Sequence, residues 1–127
     1  MLQGARHEHM HALTNAASSL DIEIEIRELR KSSDIAGIDA IILPGGESTA
    51  MKIASRSEEL YSGIWDCLEE YNIPVLGTCA GAILLSNNRI IDAEIERNGF
   101  GRQKDSFQST IKIDIGGEED FPGVFIR

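Results

Sequence analysis

The sequence holds only two cysteines, Cys67 and Cys79, in 127 residues. That excludes a disulfide framework and the small secreted scaffolds that depend on one. Basic residues are also scarce, 12 against 21 acidic, for a net charge of −9. Sequence-independent binding to nucleic acid or to an anionic membrane needs a basic patch, so neither is an expected partner. No apolar run is long enough to span a bilayer. Met1 to Leu13 is polar and His-rich, unlike a secretory signal, and a reducing cytoplasm is the expected compartment. Internal repeats and low-complexity linkers are absent. Histidine occurs only at His7, His9 and His11. His7 and His11 share a helix face, but no carboxylate or cysteine completes an obvious site, so no metal is expected and the bland alternative is a solvated helix start. None of the three stands out as a catalytic base.

What is present is ordinary in amount: 42% apolar residues, enough for a sizeable core in one domain. His7 to Leu20 reads as a helix with Met10, Leu13, Ala17 and Leu20 on one face. In Asp21 to Ile26, charge alternates with Ile22, Ile24 and Ile26, which predicts a strand with one solvated face; Glu23 and Glu25 belong to that face rather than to an acid pair. Ile38 to Leu43 and Ile73 to Thr78 are nearly continuous apolar runs, as in parallel strands covered on both faces. Between them, Glu58 to Tyr71 is helical, with Leu60, Ile64, Cys67, Leu68 and Tyr71 on one stripe. Cys67 is therefore expected in the core. Strand, helix and strand of these lengths make a βαβ crossover. Ala93 to Glu96, Ser109 to Ile115 and Gly123 to Ile126 read as antiparallel strands added to the parallel core. The expected architecture is a three-layer α/β sandwich with a mostly parallel central sheet, its site at the C-terminal ends of the central strands.

The segment that carries chemistry is Ile73-Pro74-Val75-Leu76-Gly77-Thr78-Cys79-Ala80-Gly81-Ala82-Ile83-Leu84-Leu85. A short strand runs into Gly-Thr-Cys-Ala-Gly and at once into a helix. This is the spacing of a nucleophile elbow, in which a strained turn holds the nucleophile at the sheet edge and flanking glycines let strand and helix approach. A helix N-terminus beside a thiol favours the thiolate, the attacking form. The bland alternative is a buried, inert cysteine between two glycines. A second strand ends in Pro44-Gly45-Gly46-Glu47-Ser48-Thr49, a loop able to present backbone N–H groups to an oxyanion. Two further segments are unusual, Glu96-Arg97-Asn98-Gly99-Phe100-Gly101-Arg102-Gln103 and Gly123-Val124-Phe125-Ile126-Arg127.

Together with Leu2-Gln3-Gly4 and Glu8-His9, these segments resemble the glutaminase subunit of pyridoxal 5′-phosphate synthase, a class I, triad-type glutamine amidotransferase. The resemblance runs from Leu2 to Arg127 and treats residues 1–127 as a single glutaminase domain of class I glutamine amidotransferase-like fold. It implies that Cys79 attacks the side-chain carboxamide of L-glutamine, forming a γ-glutamyl thioester, releasing ammonia and then yielding glutamate to water. Gly46 and Ala80 would donate backbone N–H groups to the oxyanion, besides their roles as turn and helix-start residues. Gly46, Glu47 and Ser48 would contact substrate; Ser48 or Thr49 is equally well placed as a helix N-cap. Arg97 would pair with the α-carboxylate of glutamine, where the residues alone suggest only a surface arginine. Ile126 and Arg127 match a further contact segment. No cofactor is implied. The implied partner is a (β/α)₈ barrel synthase subunit that receives the ammonia.

The sequence departs from that pattern in three places. The family pairs its cysteine with a C-terminal His-x-Glu, and here no histidine follows His11. A triad-type thiol without its base loses most of its rate. Only Met1 precedes Leu2, where the family has a full apolar strand, and Ser86-Asn87-Asn88-Arg89 leaves the nucleophile helix abruptly. The resemblance thus implies a longer parent chain, incomplete here at the N-terminus, after the nucleophile helix and at the C-terminus. The alternatives are a catalytically inactive docking module on the same fold and a thiol hydrolase of the wider family.

Overall fold

The computed structural model describes residues 6–45, 58–96, 99, 101–114 and 118–125. The chain divides into two compact units, Met1–Glu94 and Ile95–Arg127.

The first unit opens with helix α1, Arg6–Ser19. Its end is set by Asp21, which adopts the left-handed conformation at φ 53°. Ile22 N–H then reaches back to the Ala17 carbonyl at 2.9 Å, and Asp21 N–H to Ser18 at 3.4 Å. This is a Schellman closure with aspartate in the place glycine usually takes. It throws Leu20 outward, 68% exposed. Of the expected apolar face only Ala17 is buried, with Met10 and Leu13 partly so. The strand predicted over Asp21 to Ile26 does not form. The segment joins no ladder among the described residues, and Ile22, Ile24 and Ile26 stay 55, 44 and 36% exposed. Alternation sets which way side chains point but supplies no hydrogen-bonding neighbour.

A 3₁₀ turn at Ser32–Ile35 leads to strand β1, Ile41–Leu43. Helix α2, Glu58–Tyr71, and strand β2, Val75–Gly77, complete the predicted βαβ crossover. The two strands are parallel, with Ile41 opposite Val75 and Leu43 opposite Gly77. Helix α3, Ala80–Asn87, follows without a linker. Ile35, Ile41, Leu43, Ile64, Leu68 and Leu85 form the core, with Leu60, Trp65, Cys67 and Val75 packed against it. Cys67 thus lies where its stripe predicts. Tyr71 does not, being 65% exposed where Asn72 turns left-handed and ends α2. Leu76 is 54% exposed, so β2 is not covered on both faces by the described residues.

Helix α3 closes like α1. Arg89 is left-handed at φ 58°, and Ile90 N–H bonds the Leu85 carbonyl at 2.9 Å. Ser86 Oγ donates to the Ala93 carbonyl at 2.7 Å, and Ala93 N–H bonds Ile91. Both backbone groups of Ala93 are thereby occupied, and the strand predicted over Ala93 to Glu96 is absent.

On the surface, Asp34 Oδ2 accepts the Arg30 and Lys31 backbone N–H groups at 2.9 and 3.0 Å. These bonds hold its carboxyl below the usual carboxylate range, Arg30 contributing most. Glu28 is lowered chiefly by the Arg30 side-chain hydrogen bond.

The second unit is a hairpin of strands β3, Phe107–Asp114, and β4, Glu118–Phe125. The pairing is antiparallel, from Phe107 opposite Phe125 to Asp114 opposite Glu118. The two terminal rings stack with centroids 4.6 Å apart. The predicted strands at Ser109 to Ile115 and Gly123 to Ile126 fall in this pair, with Ile115 and Ile126 outside the described residues. The parallel pair and the antiparallel pair are the two sheet types the sequence predicts.

Candidate active site at the Cys79 elbow

The β2–α3 junction forms the turn that Gly-Thr-Cys-Ala-Gly predicts. Cys79 has φ 50° and ψ −115°, a conformation that L-residues rarely adopt. Such backbone costs about 1–3 kcal/mol and persists only where its surroundings fix it. Here Thr78 N–H donates to the Leu43 carbonyl at 3.0 Å, extending the parallel ladder to the residue before the thiol. Gly81 N–H donates to the Thr78 carbonyl at 2.9 Å, and Ile83 N–H to that of Cys79 at 3.2 Å. The buried Leu85 ties the helix beyond to the core. Cys79 itself is a free, exposed thiol at the start of α3. Ala80, the predicted oxyanion donor, is the first residue of that helix and is buried.

Both glycines of the motif are required by close approach. A Cβ on Gly77 would lie 2.7 Å from Leu85 Cδ1 and 2.8 Å from Ala82 N. A Cβ on Gly81 would run into the Leu43 carbonyl oxygen and stand 2.7 Å from its carbon. Helix α3 therefore rests directly on the backbone of β1. A third glycine joins the site. A Cβ on Gly45, just past β1, would meet Cys79 Cβ at 2.6 Å, the Thr78 carbonyl oxygen at 3.2 Å and Cys79 Sγ at 3.3 Å. The Pro44-Gly45 end of β1 thus passes against the thiol.

Gly46, Glu47, Ser48, Arg97, Ile126 and Arg127 lie outside the described residues. The sequence reading missed two participants, Gly45 and His9. His9 Nε2 on α1 and Thr78 Oγ1 are 2.9 Å apart in a partly buried hydrogen bond across 69 residues. The signals were Gly45 as first glycine of its loop and the Glu8-His9 pair of the opening segment. His7 and His11 are exposed, and among the described residues no group of three or more potential ligands could hold a metal. No helix among the described residues is long and apolar enough to cross a membrane.

A strained, exposed cysteine between glycines that close approach requires, with Gly45 against it, has the geometry of a nucleophile elbow, and comparison with known proteins places the chain in a family. The profile of the SNO glutamine amidotransferase family matches residues 1–127. The chain belongs to the SNO glutamine amidotransferase family. It is 39% identical over 137 aligned positions to "Pyridoxal 5′-phosphate synthase subunit PdxT" of Thermococcus onnurineus, covering 99% of this chain and 68% of that relative. The protein of the same name from Shouchella clausii is 39% identical over 135 positions, covering 99% and 65%. A crystal structure of a glutamine amidotransferase superposes with TM-score 0.66 at 34% identity, covering 91% of this chain and 65% of that one. The SNO-family chain thus spans about two thirds of the length of these relatives, and its fold is class I glutamine amidotransferase-like.

Proposed function

We propose that this protein is the glutaminase of a pyridoxal 5′-phosphate synthase, hydrolysing L-glutamine to glutamate and ammonia. The observation that carries it is the Cys79 elbow, a strained and exposed thiol held against Gly45, in a chain similar throughout to subunits named for that synthase. Cys79 Sγ attacks the carboxamide carbon, ammonia leaves, and water cleaves the resulting thioester. The backbone N–H groups of Gly46 and Ala80 stabilise the oxyanion. Arg97 pairs with the α-carboxylate of glutamine, and Glu47, Ser48, Ile126 and Arg127 complete the substrate contacts. Support for these roles comes from the matching motifs and from Gly45, whose contact with Cys79 brings the start of that loop to the thiol.

Residues 1–127 act as one glutaminase domain, a reading supported by the family match along their whole length. The partner is a (β/α)₈ barrel synthase subunit, and the compartment is the cytoplasm, where a reduced thiol survives. Triad hydrolysis also requires a histidine base with a carboxylate behind it. No histidine follows His11 in these residues, so capture of Cys79 and full turnover test different parts of the machinery.

The test is glutamine-dependent pyridoxal 5′-phosphate formation after mixing with the synthase subunit, with free ammonia as the positive control. In a protein that carries the histidine base as well as these residues, the expected result is synthesis from glutamine that Cys79→Ala abolishes while ammonia-driven synthesis continues. Synthesis from ammonia but none from glutamine would remove the active-glutaminase assignment.

A further inference from the structure

We propose that His9 is a positioning residue for the Cys79 nucleophile, its bond to Thr78 fixing the turn that presents the thiol; this rests on the glutaminase assignment above. The backbone around Cys79 is held on the sheet side by the Thr78 N–H bond to the Leu43 carbonyl, and on the helix side by the Gly81 and Ile83 N–H bonds to the Thr78 and Cys79 carbonyls and by the buried Leu85. Neither restraint touches the Thr78 side chain. That side chain is held from a separate element, α1, by His9 Nε2 at 2.9 Å, and both residues are half-buried. Of the three histidines, this one is brought to the elbow. His7 is exposed and bonds its neighbour Arg6, and His11 is exposed.

A threonine side chain is stiff at χ1, so anchoring its hydroxyl restrains the backbone torsions beside it. The next residue occupies a strained conformation that relaxes unless its surroundings oppose it. Small misplacements of an attacking atom are costly in rate, because the reacting atoms must meet within about 3–3.5 Å. His9 therefore acts on the thiol through Thr78 and has no contact with substrate in this role.

The test uses an L-glutamine analogue carrying a chloroketone in place of the carboxamide, which alkylates a nucleophilic thiol. It requires no histidine base for turnover. The maximal alkylation rate of Cys79 and the half-saturating analogue concentration are measured by peptide mapping. Cys67, packed against the core, reports general opening. His9→Ala and Thr78→Val should each lower the maximal rate about three- to tenfold, the worth of one neutral hydrogen bond. The half-saturating concentration, the Cys67 rate and the melting temperature should stay near wild type. The double variant should be no slower than either single one, and His9→Gln, whose amide can bond Thr78, should restore most of the rate. An unchanged rate in His9→Ala, additive losses in the double variant, or a loss matched by faster Cys67 labelling would overturn the role of His9. If the wild type itself shows no saturation and no protection by L-glutamine, the glutaminase assignment fails and the His9 role fails with it.

Discussion

Replacing Gly81 by alanine inserts one methyl group where α3 rests on β1. An ideal Cβ there overlaps the Leu43 carbonyl oxygen and lies 2.7 Å from Leu43 C and 3.0 Å from Leu43 Cβ. These neighbours are backbone and the base of a core side chain, so none can swing aside. Relief requires α3 to move away from the strand by about 1 Å, which forfeits a quarter to a half of each dispersion contact it breaks. Leu85, 2% exposed, is on that helix, and Leu43, 6% exposed, is beneath it. Overpacking of this kind costs about 3 kcal/mol. At about 4 °C per kcal/mol for a chain of this size, the melting temperature should fall by about 12 °C. Gly37→Ala is the control. Gly37 has φ 72° but nothing within 4 Å of an added Cβ, so alanine there meets only left-handed backbone strain, about 1 kcal/mol. Thermal unfolding followed by circular dichroism reads both variants. If Gly81→Ala melts within about 2 °C of wild type, the close seating of α3 on β1 is wrong.

In the complete protein, with its histidine base, Cys79→Ala should abolish glutamine hydrolysis and leave the fold intact, read by turnover and far-UV dichroism. Cys79→Gly should be equally inactive yet about 1 kcal/mol more stable than Cys79→Ala, because glycine tolerates the positive φ; denaturant midpoints decide this. Leu85→Ala should cost about 2–5 kcal/mol, since that residue is the most fully buried among the described ones; a smaller loss by chemical denaturation would mean the core closes elsewhere. Asp34 and Glu28 both have folded pKa values below their unfolded values of 3.8 and 4.5. Their stabilisation is therefore present above those values and lost as pH falls through the folded ones. Asp34→Asn should reduce the acid dependence of the melting temperature and leave its slope near neutral pH unchanged.

The sequence made the βαβ core legible because its signals are local and redundant. Glu58–Tyr71 is the predicted helix to the residue, since its apolar stripe and its length agree. The elbow was legible for the same reason, as two glycines, a strand and a helix allow one geometry. The failures share a cause. Alternation in Asp21 to Ile26 and in Ala93 to Glu96 specifies a face but not a neighbour, and neither segment meets a ladder among the described residues. Leu20 and Tyr71 fit their stripes but fall at helix ends, where left-handed Asp21 and Asn72 redirect the chain. His9 escaped because its partner is 69 residues away, and spacing within one helix carries no sign of such a contact. Gly45 likewise became a site residue only once β1 was placed beside β2.

The most direct measurement is peptide-mapped labelling by the glutamine chloroketone, with Cys67 and Cys79 read separately. The expected result is one adduct, on Cys79, that excess L-glutamine prevents. Labelling of Cys67 and Cys79 alike, or labelling of Cys79 that L-glutamine does not slow, would contradict a glutamine-directed nucleophile at the elbow.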